Sequence, residues 1–186
     1  MDPNEGEFLG SAKASPVSLA LDDYEDLFSD FDPRAFSERM LSDDFLHELK
    51  RASLDKEAEG LALVLMLPKE KRSAGLEHVI KERLREHFKR HRRRLEEKAR
   101  RERKTGLLMV ALGILFMFTA TYSLFFAGRG LWMTFIVVLL EPAGWFTFWE
   151  GLNLILFQAR EATPDLGFYR KMAGAKISFT TAPGGP

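Results

Sequence analysis

Two long apolar runs in the second half of the chain limit most strongly what it can fold into. The first, residues 106–127, has no charged residue, and the second, residues 131–157, begins after three further residues. A helix of 22 residues is about 33 Å long, enough to cross a hydrocarbon core of about 30 Å. So short a link predicts an antiparallel transmembrane hairpin, and hence a mainly α membrane protein.

Charge is distributed unevenly along the chain, although the net charge is zero. Residues 1–60 carry 16 acidic and 6 basic residues, whereas residues 81–104 carry 13 basic and 5 acidic ones. Basic residues flank the two apolar runs on their outer sides, so the positive-inside rule predicts that both termini are cytoplasmic. The acidic N-terminus is typical of neither a secretory signal nor a mitochondrial transit peptide. We therefore expect a multi-pass protein of a prokaryotic cell (inner) membrane.

The composition also excludes some kinds of chemistry. The chain has no cysteine, which rules out disulfides, thiolate metal sites and a cysteine nucleophile. His87 and His91 are one helical turn apart, but the glutamate of an H-E-x-x-H motif is missing and basic residues surround them. A solvated charged face explains this pair better than a metal site. We expect no enzyme and no cofactor other than a bound cation.

The sequence predicts six segments that differ in polarity. They are a disordered tail (1–20), a small cytoplasmic α(+β) domain (21–75), a basic coiled-coil-like helix (76–104), a first transmembrane helix (106–127), an outer turn with a second transmembrane helix (131–157), and a cytoplasmic C-terminal segment (158–186). Helix 76–104 has no glycine or proline, so it can continue into the first span as one helix.

Within the predicted domain, residues 36–52 favour a helix, with Ser42 as the N-cap of its better-formed part. The apolar run 61–67 fits a buried strand or core segment. Residues 21–33 alternate acids with aromatic and aliphatic side chains. They either dock on the domain or pair with the basic helix, and docking is favoured. A stripe along the basic helix should pack on the domain or on neighbouring copies; it consists of Leu76, Ile80, Leu84, Phe88 and Leu95.

The basic residues directly before the first span suggest a further contact. Their position beside an apolar run favours anionic lipid headgroups over nucleic acid, at about 1 kcal/mol for each basic residue. The predicted headgroup contacts are Arg100, Arg101, Arg103 and Lys104.

Glu141 and Pro142 interrupt the second apolar run. Proline lacks a backbone donor and clashes with the carbonyl four residues back, that of Val138, but it is favoured in the first turn of a helix. We therefore predict that the second helix begins near Glu141, with residues 131–140 forming the outer turn. The carboxylate would then lie at the outer mouth of the membrane.

Two interpretations of Glu141 remain open at this point. Several copies around an axis could form a ring of carboxylates that binds a cation, with Trp145 one turn further and Trp149 and Asn153 near the same face. Alternatively, Glu141 caps a helix beside the headgroups and the tryptophans belong to an ordinary interfacial belt. Glu150, nine residues on, lies on the opposite face.

Three stretches resemble the pore-forming subunit of the mitochondrial calcium uniporter and its prokaryotic relatives. They are the basic junction 96–106, the Glu-Pro-Ala-Gly-Trp-Phe entry at 141–146, and the Gly-Ala-Lys tail within 171–179. The similarity covers about residues 90–180.

By this resemblance, Glu141 corresponds to the calcium-coordinating glutamate, Pro142 to the motif proline and Trp145 to the aromatic ring below. Val137 and Val138 stand where the family has Trp and Asp, so the outer carboxylate ring is absent. The resemblance implies an oligomeric cation channel with Ca²⁺ or another cation at Glu141. The alternative is a non-conducting two-span scaffold or anchor for a cytoplasmic interaction domain.

Overall fold

A computed structural model describes residues 15–56, 61–126, 130–158 and 163–182. The chain separates into two compact units. The first contains the residues up to Arg92 together with those from Gly167 onward, and the second contains Arg93–Leu166. The predicted helix 76–104 is therefore divided between the two units.

The first unit is built on a parallel sheet of three strands. These are β1 (Ser15–Ala20), β2 (Leu61–Leu67) and β3 (Lys176–Thr181), in the order β1-β2-β3. Leu63 of the central strand lies in register with Val17 on one side and Ile177 on the other. Its continuous apolar sequence is typical of a parallel strand that is covered on both faces, and the prediction of a strand at 61–67 is confirmed.

The described residues also form four helices and three short helical turns. The helices are α1 (Asp43–Ala52), α2 (Ala74–Phe126), α3 (Leu131–Asn153) and α4 (Thr163–Gly174). Two 3-10 turns are Tyr24–Leu27 and Lys69–Lys71, and a π-helical turn, Leu154–Gln158, follows α3. The prediction that the basic helix runs into the first apolar run without a break is confirmed, because both belong to α2.

The core of the first unit lies between the sheet and its helices. The predicted stripe on α2 is confirmed at its centre, since Ile80, Leu84 and Phe88 are fully buried. Phe88 packs edge-on against Phe168 of α4, with ring centroids 6.3 Å apart. The N-terminal part of this helix therefore packs in the core of the first unit, while its pairing with neighbouring copies stays a prediction.

The acidic-aromatic segment docks on this core, as favoured from the sequence. Tyr24, Leu27 and Phe28 are buried, whereas Phe31 is 97% exposed. The Tyr24 hydroxyl lies 3.4 Å from a carboxylate oxygen of Glu77 and accepts a hydrogen bond from the backbone N–H of Ser73. The segment is thus anchored by its apolar side chains and this hydroxyl.

Three predictions about the first unit are wrong. Residues 15–20 are a strand rather than part of a disordered tail, because Val17 and Leu19 pair with the central strand; residues 1–14 lie outside the described part. Helix α1 begins at Asp43, not at residue 36, and Ser42 is its N-cap position without a side-chain capping bond. The predicted C-terminal segment (158–186) does not stay apart from the predicted domain (21–75), because its residues from Gly167 onward, including β3, belong to the first unit.

A compact loop, residues 29–41, takes the place of the missing first part of α1. Asp32 organises it: its carboxylate accepts hydrogen bonds from Nε and Nη2 of Arg34, at 2.9 and 2.7 Å, and from the backbone N–H of Met40 at 2.7 Å. Arg39 adds a bond from its Nε to the Ser29 carbonyl. These charge-assisted bonds satisfy the backbone amide of Met40 and the backbone carbonyl of Ser29.

Acid is expected to loosen this loop. The Arg34 guanidinium holds the pKa of Asp32 well below its usual range. Because the folded-state pKa is lowered, the stabilisation is complete above the unfolded pKa of about 3.9 and is lost as pH falls through the folded value. The hydrogen-exchange protection of the Met40 amide should therefore fall as the pH is lowered below about 4. In Asp32→Asn, protection should be low at every pH; a wild-type-like acid transition in this variant would contradict the assignment.

Candidate cation site on the apolar hairpin

In the second unit, the two apolar helices approach each other through small residues spaced seven apart. On α2 these are Gly106, Gly113 and Ala120, and on α3 they are Val137, Gly144 and Gly151; all six are buried.

The approach brings backbone against backbone. A Cβ atom at Gly113 would lie 2.5 Å from the backbone nitrogen of Phe148, and one at Gly151 would lie 2.7 Å from the carbonyl oxygen of Gly106. Small residues that allow such contact are typical of helix pairs in membranes. The seven-residue spacing of the glycines in the sequence indicates such a contact, but none of the sequence predictions included it.

Helix α3 continues through Pro142, so the prediction that the second helix begins near Glu141 is wrong. Residues 131–140 are helical rather than an outer turn. An internal proline removes one backbone hydrogen bond, and packed apolar helices tolerate this because neighbouring groups and local adjustments compensate. Glu141 is therefore about 15 Å along the helix from Leu131, near its middle and not at its start.

Glu141 lies beside the face that packs on α2. It precedes buried Gly144 by three residues, about 60° around the helix, and its side chain is exposed. Among the residues that the structure describes, it has neither a hydrogen-bond nor an ion-pair partner. The hairpin therefore presents this carboxylate outward from its apolar surface.

Trp145 and Trp149 follow Glu141 at intervals of one turn on the same outward strip. Their side chains are 61% and 57% exposed, and their rings stack with centroids 6.4 Å apart. The structure thus brings together three of the predicted site residues: a carboxylate followed by two stacked indoles. Pro142, also exposed, lies roughly 100° further around the helix from Glu141.

Asn153 does not extend this strip. Its Nδ2 lies 3.5 Å from Oε2 of Glu150, and it is about 120° around the helix from Glu141. The prediction that Asn153 continues near the Glu141 face is therefore wrong, because each four-residue step shifts the strip by about 40°. Val137 packs inside the hairpin, while its neighbour Val138 is 62% exposed.

The four basic residues predicted to contact headgroups lie within α2, in the turns directly before Gly106. They are all exposed: Arg100, Arg101, Arg103 and Lys104. Their contact with lipid stays a prediction. Nearby, Lys98 and Glu102 form a one-turn ion pair of 3.8 Å.

The described residues contain no group of three or more His, Asp or Glu side chains placed to hold a metal. His87 and His91 stack on each other at 4.1 Å, and His91 stacks on Tyr169 of α4 at 5.1 Å. Each hairpin thus contributes Glu141 as a single carboxylate on its outward strip. A cation site of several carboxylates would need more than one copy of the chain.

In its described residues, the protein combines two helices that are long and apolar enough to cross a membrane with a small parallel sheet. No protein-family model, curated protein or solved structure matches the chain.

Proposed function

We propose that the protein is a two-span membrane protein whose copies assemble around Glu141 into a cation-conducting oligomer. The membrane location is supported by the surface of the two apolar helices. Only 11% of the residues in the most apolar window of each helix are buried. A soluble protein rarely exposes so large an apolar surface to water, whereas a bilayer accommodates it.

The proposed topology has both termini in the cytoplasm of a prokaryotic cell. Strand β2 precedes the first span and β3 follows the second, and the two pair in one sheet. A chain that leaves and returns to the same folded unit crosses a membrane an even number of times. Two spans satisfy this condition, and the basic residues before the first span favour the cytoplasmic side.

The observation that carries the proposed function is the outward, unpartnered Glu141 in the middle of α3. A lone charge at the centre of a membrane helix costs roughly 2.5–3.5 kcal/mol on insertion scales. Hairpins arranged with this strip toward a common axis would place several carboxylates together, where a cation offsets their charge. Ca²⁺ is the expected ion, since Glu141 corresponds to the calcium ligand in the uniporter resemblance.

Ion flux through reconstituted protein tests this proposal. Liposomes containing the wild-type chain should admit Ca²⁺, and Glu141→Gln should reduce the flux at least about tenfold, because the charge that binds the ion is removed. Glu150→Gln is the matched control: it removes the other carboxylate of α3, which interacts with Asn153, and should keep most of the flux. Equal flux in wild type and Glu141→Gln would overturn the pore role.

A second function, a non-conducting anchor for a cytoplasmic domain, is favoured by the first unit itself. That unit has its own sheet and a core of fully buried side chains, including Leu63, Leu65 and Phe88. The oligomeric state in detergent separates the two functions. A monomer would leave Glu141 without further carboxylates and would favour the anchor, whereas a closed oligomer that Glu141→Gln weakens would favour the channel.

A further inference from the structure

The first unit contains a polar cleft that the proposed channel does not use. Its volume is about 420 Å³, and it lies between loop residues 34–38 and residues 83–90 of α2. Its lining consists of three arginines, two glutamates and a serine: Arg34, Arg83, Arg90, Glu38, Glu86 and Ser37.

Contacts within the chain hold the three guanidinium groups in place. Asp32 binds Nε and Nη2 of Arg34. Arg83 donates from Nε and Nη2 to the backbone carbonyl of Arg39, both at 3.0 Å. Arg90 donates from Nη2 to Glu86 one turn earlier. Arg83, held by a main-chain carbonyl, loses little conformational freedom when it binds a ligand. Arg34 and Arg90 are paired but half exposed, so their remaining donors face solvent.

These contacts leave donors unused. Each guanidinium carries five N–H groups on Nε, Nη1 and Nη2. In the described part of the chain, Nη1 of Arg34, of Arg83 and of Arg90 has no hydrogen-bond acceptor, and neither has Nε of Arg90. The three arginines that line the cleft therefore have N–H donors left for an acceptor from outside the chain. The Ser37 hydroxyl belongs to the same lining.

We propose that this cleft binds the phosphate group of a phosphomonoester, with Arg34, Arg83 and Arg90 donating to its oxygens. Guanidinium groups match phosphate geometry, and charge-assisted bonds to phosphate are among the strongest available. Glu38 and Glu86 both line the cleft and oppose an anion. Glu86 accepts from Arg90, so Glu38 is the carboxylate that can be neutralised without releasing one of the arginines. A phosphate dianion offers more charge and more acceptors to the three arginines than a single carboxylate does.

Calorimetric titration of the full chain in a non-ionic detergent tests the site, with inorganic phosphate as the probe. Arg90→Gln should weaken binding about tenfold, the effect of losing one charge-assisted contact. Glu38→Gln should tighten binding, because it removes an opposing charge. Arg85→Gln is the matched control: it removes another arginine of α2, which pairs with Glu82 and does not line the cleft, and should leave binding unchanged.

A second arm replaces inorganic phosphate with short-chain phosphatidic acid, which carries a phosphomonoester headgroup. Binding of both probes with the same dependence on Arg90 points to a soluble phosphomonoester, and binding of the lipid alone points to a headgroup. Failure of both probes would overturn the proposal, and so would equal losses in Arg90→Gln and Arg85→Gln, which would indicate general attraction to a basic helix. None of these outcomes bears on conduction at Glu141, which the flux assay tests separately.

Discussion

Replacing Gly113 with leucine is expected to separate the two apolar helices. Even a Cβ atom at this position would lie 2.5 Å from the backbone nitrogen of Phe148 and 2.7 Å from its Cα. Backbone atoms of a packed helix cannot move aside as a flexible side chain can. Overpacking a core typically costs about 1–3 kcal/mol, and we expect an effect at or above the top of that range because the obstacle is the main chain.

Ala111→Leu is the matched control for Gly113→Leu. It adds similar bulk to the same helix two residues earlier, about 160° away from the packed face, where Ala111 is exposed. All three tryptophans of the chain lie in α3, so their fluorescence reports on the hairpin and not on the first unit. During titration with sodium dodecyl sulfate, Gly113→Leu should unfold at a lower detergent fraction than wild type. Equal midpoints for both variants would show that the glycine contact does not hold the hairpin.

The second large effect is expected from Ile177→Asp in β3. Ile177 is 4% exposed and pairs in register with Leu63, the fully buried centre of the sheet. An unpaired carboxylate in this position would have to be desolvated without compensation, which costs several kcal/mol. Because native domains are stable by only about 5–15 kcal/mol, we expect the sheet of the first unit to open.

Hydrogen exchange followed by mass spectrometry can detect the opening of the sheet in β2, which pairs with β3 but lies far from it in the sequence. Amides of β2, more than a hundred residues before the substitution, should lose protection in Ile177→Asp. Thr180→Asp introduces the same charge on the exposed side of the same strand and should leave β2 protected. If β2 stays protected in Ile177→Asp as well, the sheet does not depend on its C-terminal strand.

The elements predicted correctly are those whose signal is local and strong. Strand β2 is a run of seven apolar residues between a glycine and a proline, and residues 76–104 of α2 contain no glycine or proline. Strands β1 and β3 were missed because each is a short segment of mixed polarity. Only pairing with β2 makes them strands, and that pairing joins distant parts of the chain.

The candidate site was predicted in part. Glu141, Trp145 and Trp149 share one strip because four-residue spacing on a helix is a local property. The start of the second helix was predicted wrongly, because proline is favoured in a first turn but can also lie inside a membrane-type helix. Packing of α3 on α2, through Gly144 and its neighbours, keeps the helix continuous across Pro142.

By itself, the sequence determined the two apolar helices, the basic segment before them and the one carboxylate on the outward strip of the second helix. These follow from composition and spacing over a few turns. Only the tertiary structure decided that residues before and after the hairpin build one sheet and that three arginines share a cleft. Each of these depends on residues far apart in the chain, whose proximity no local pattern records.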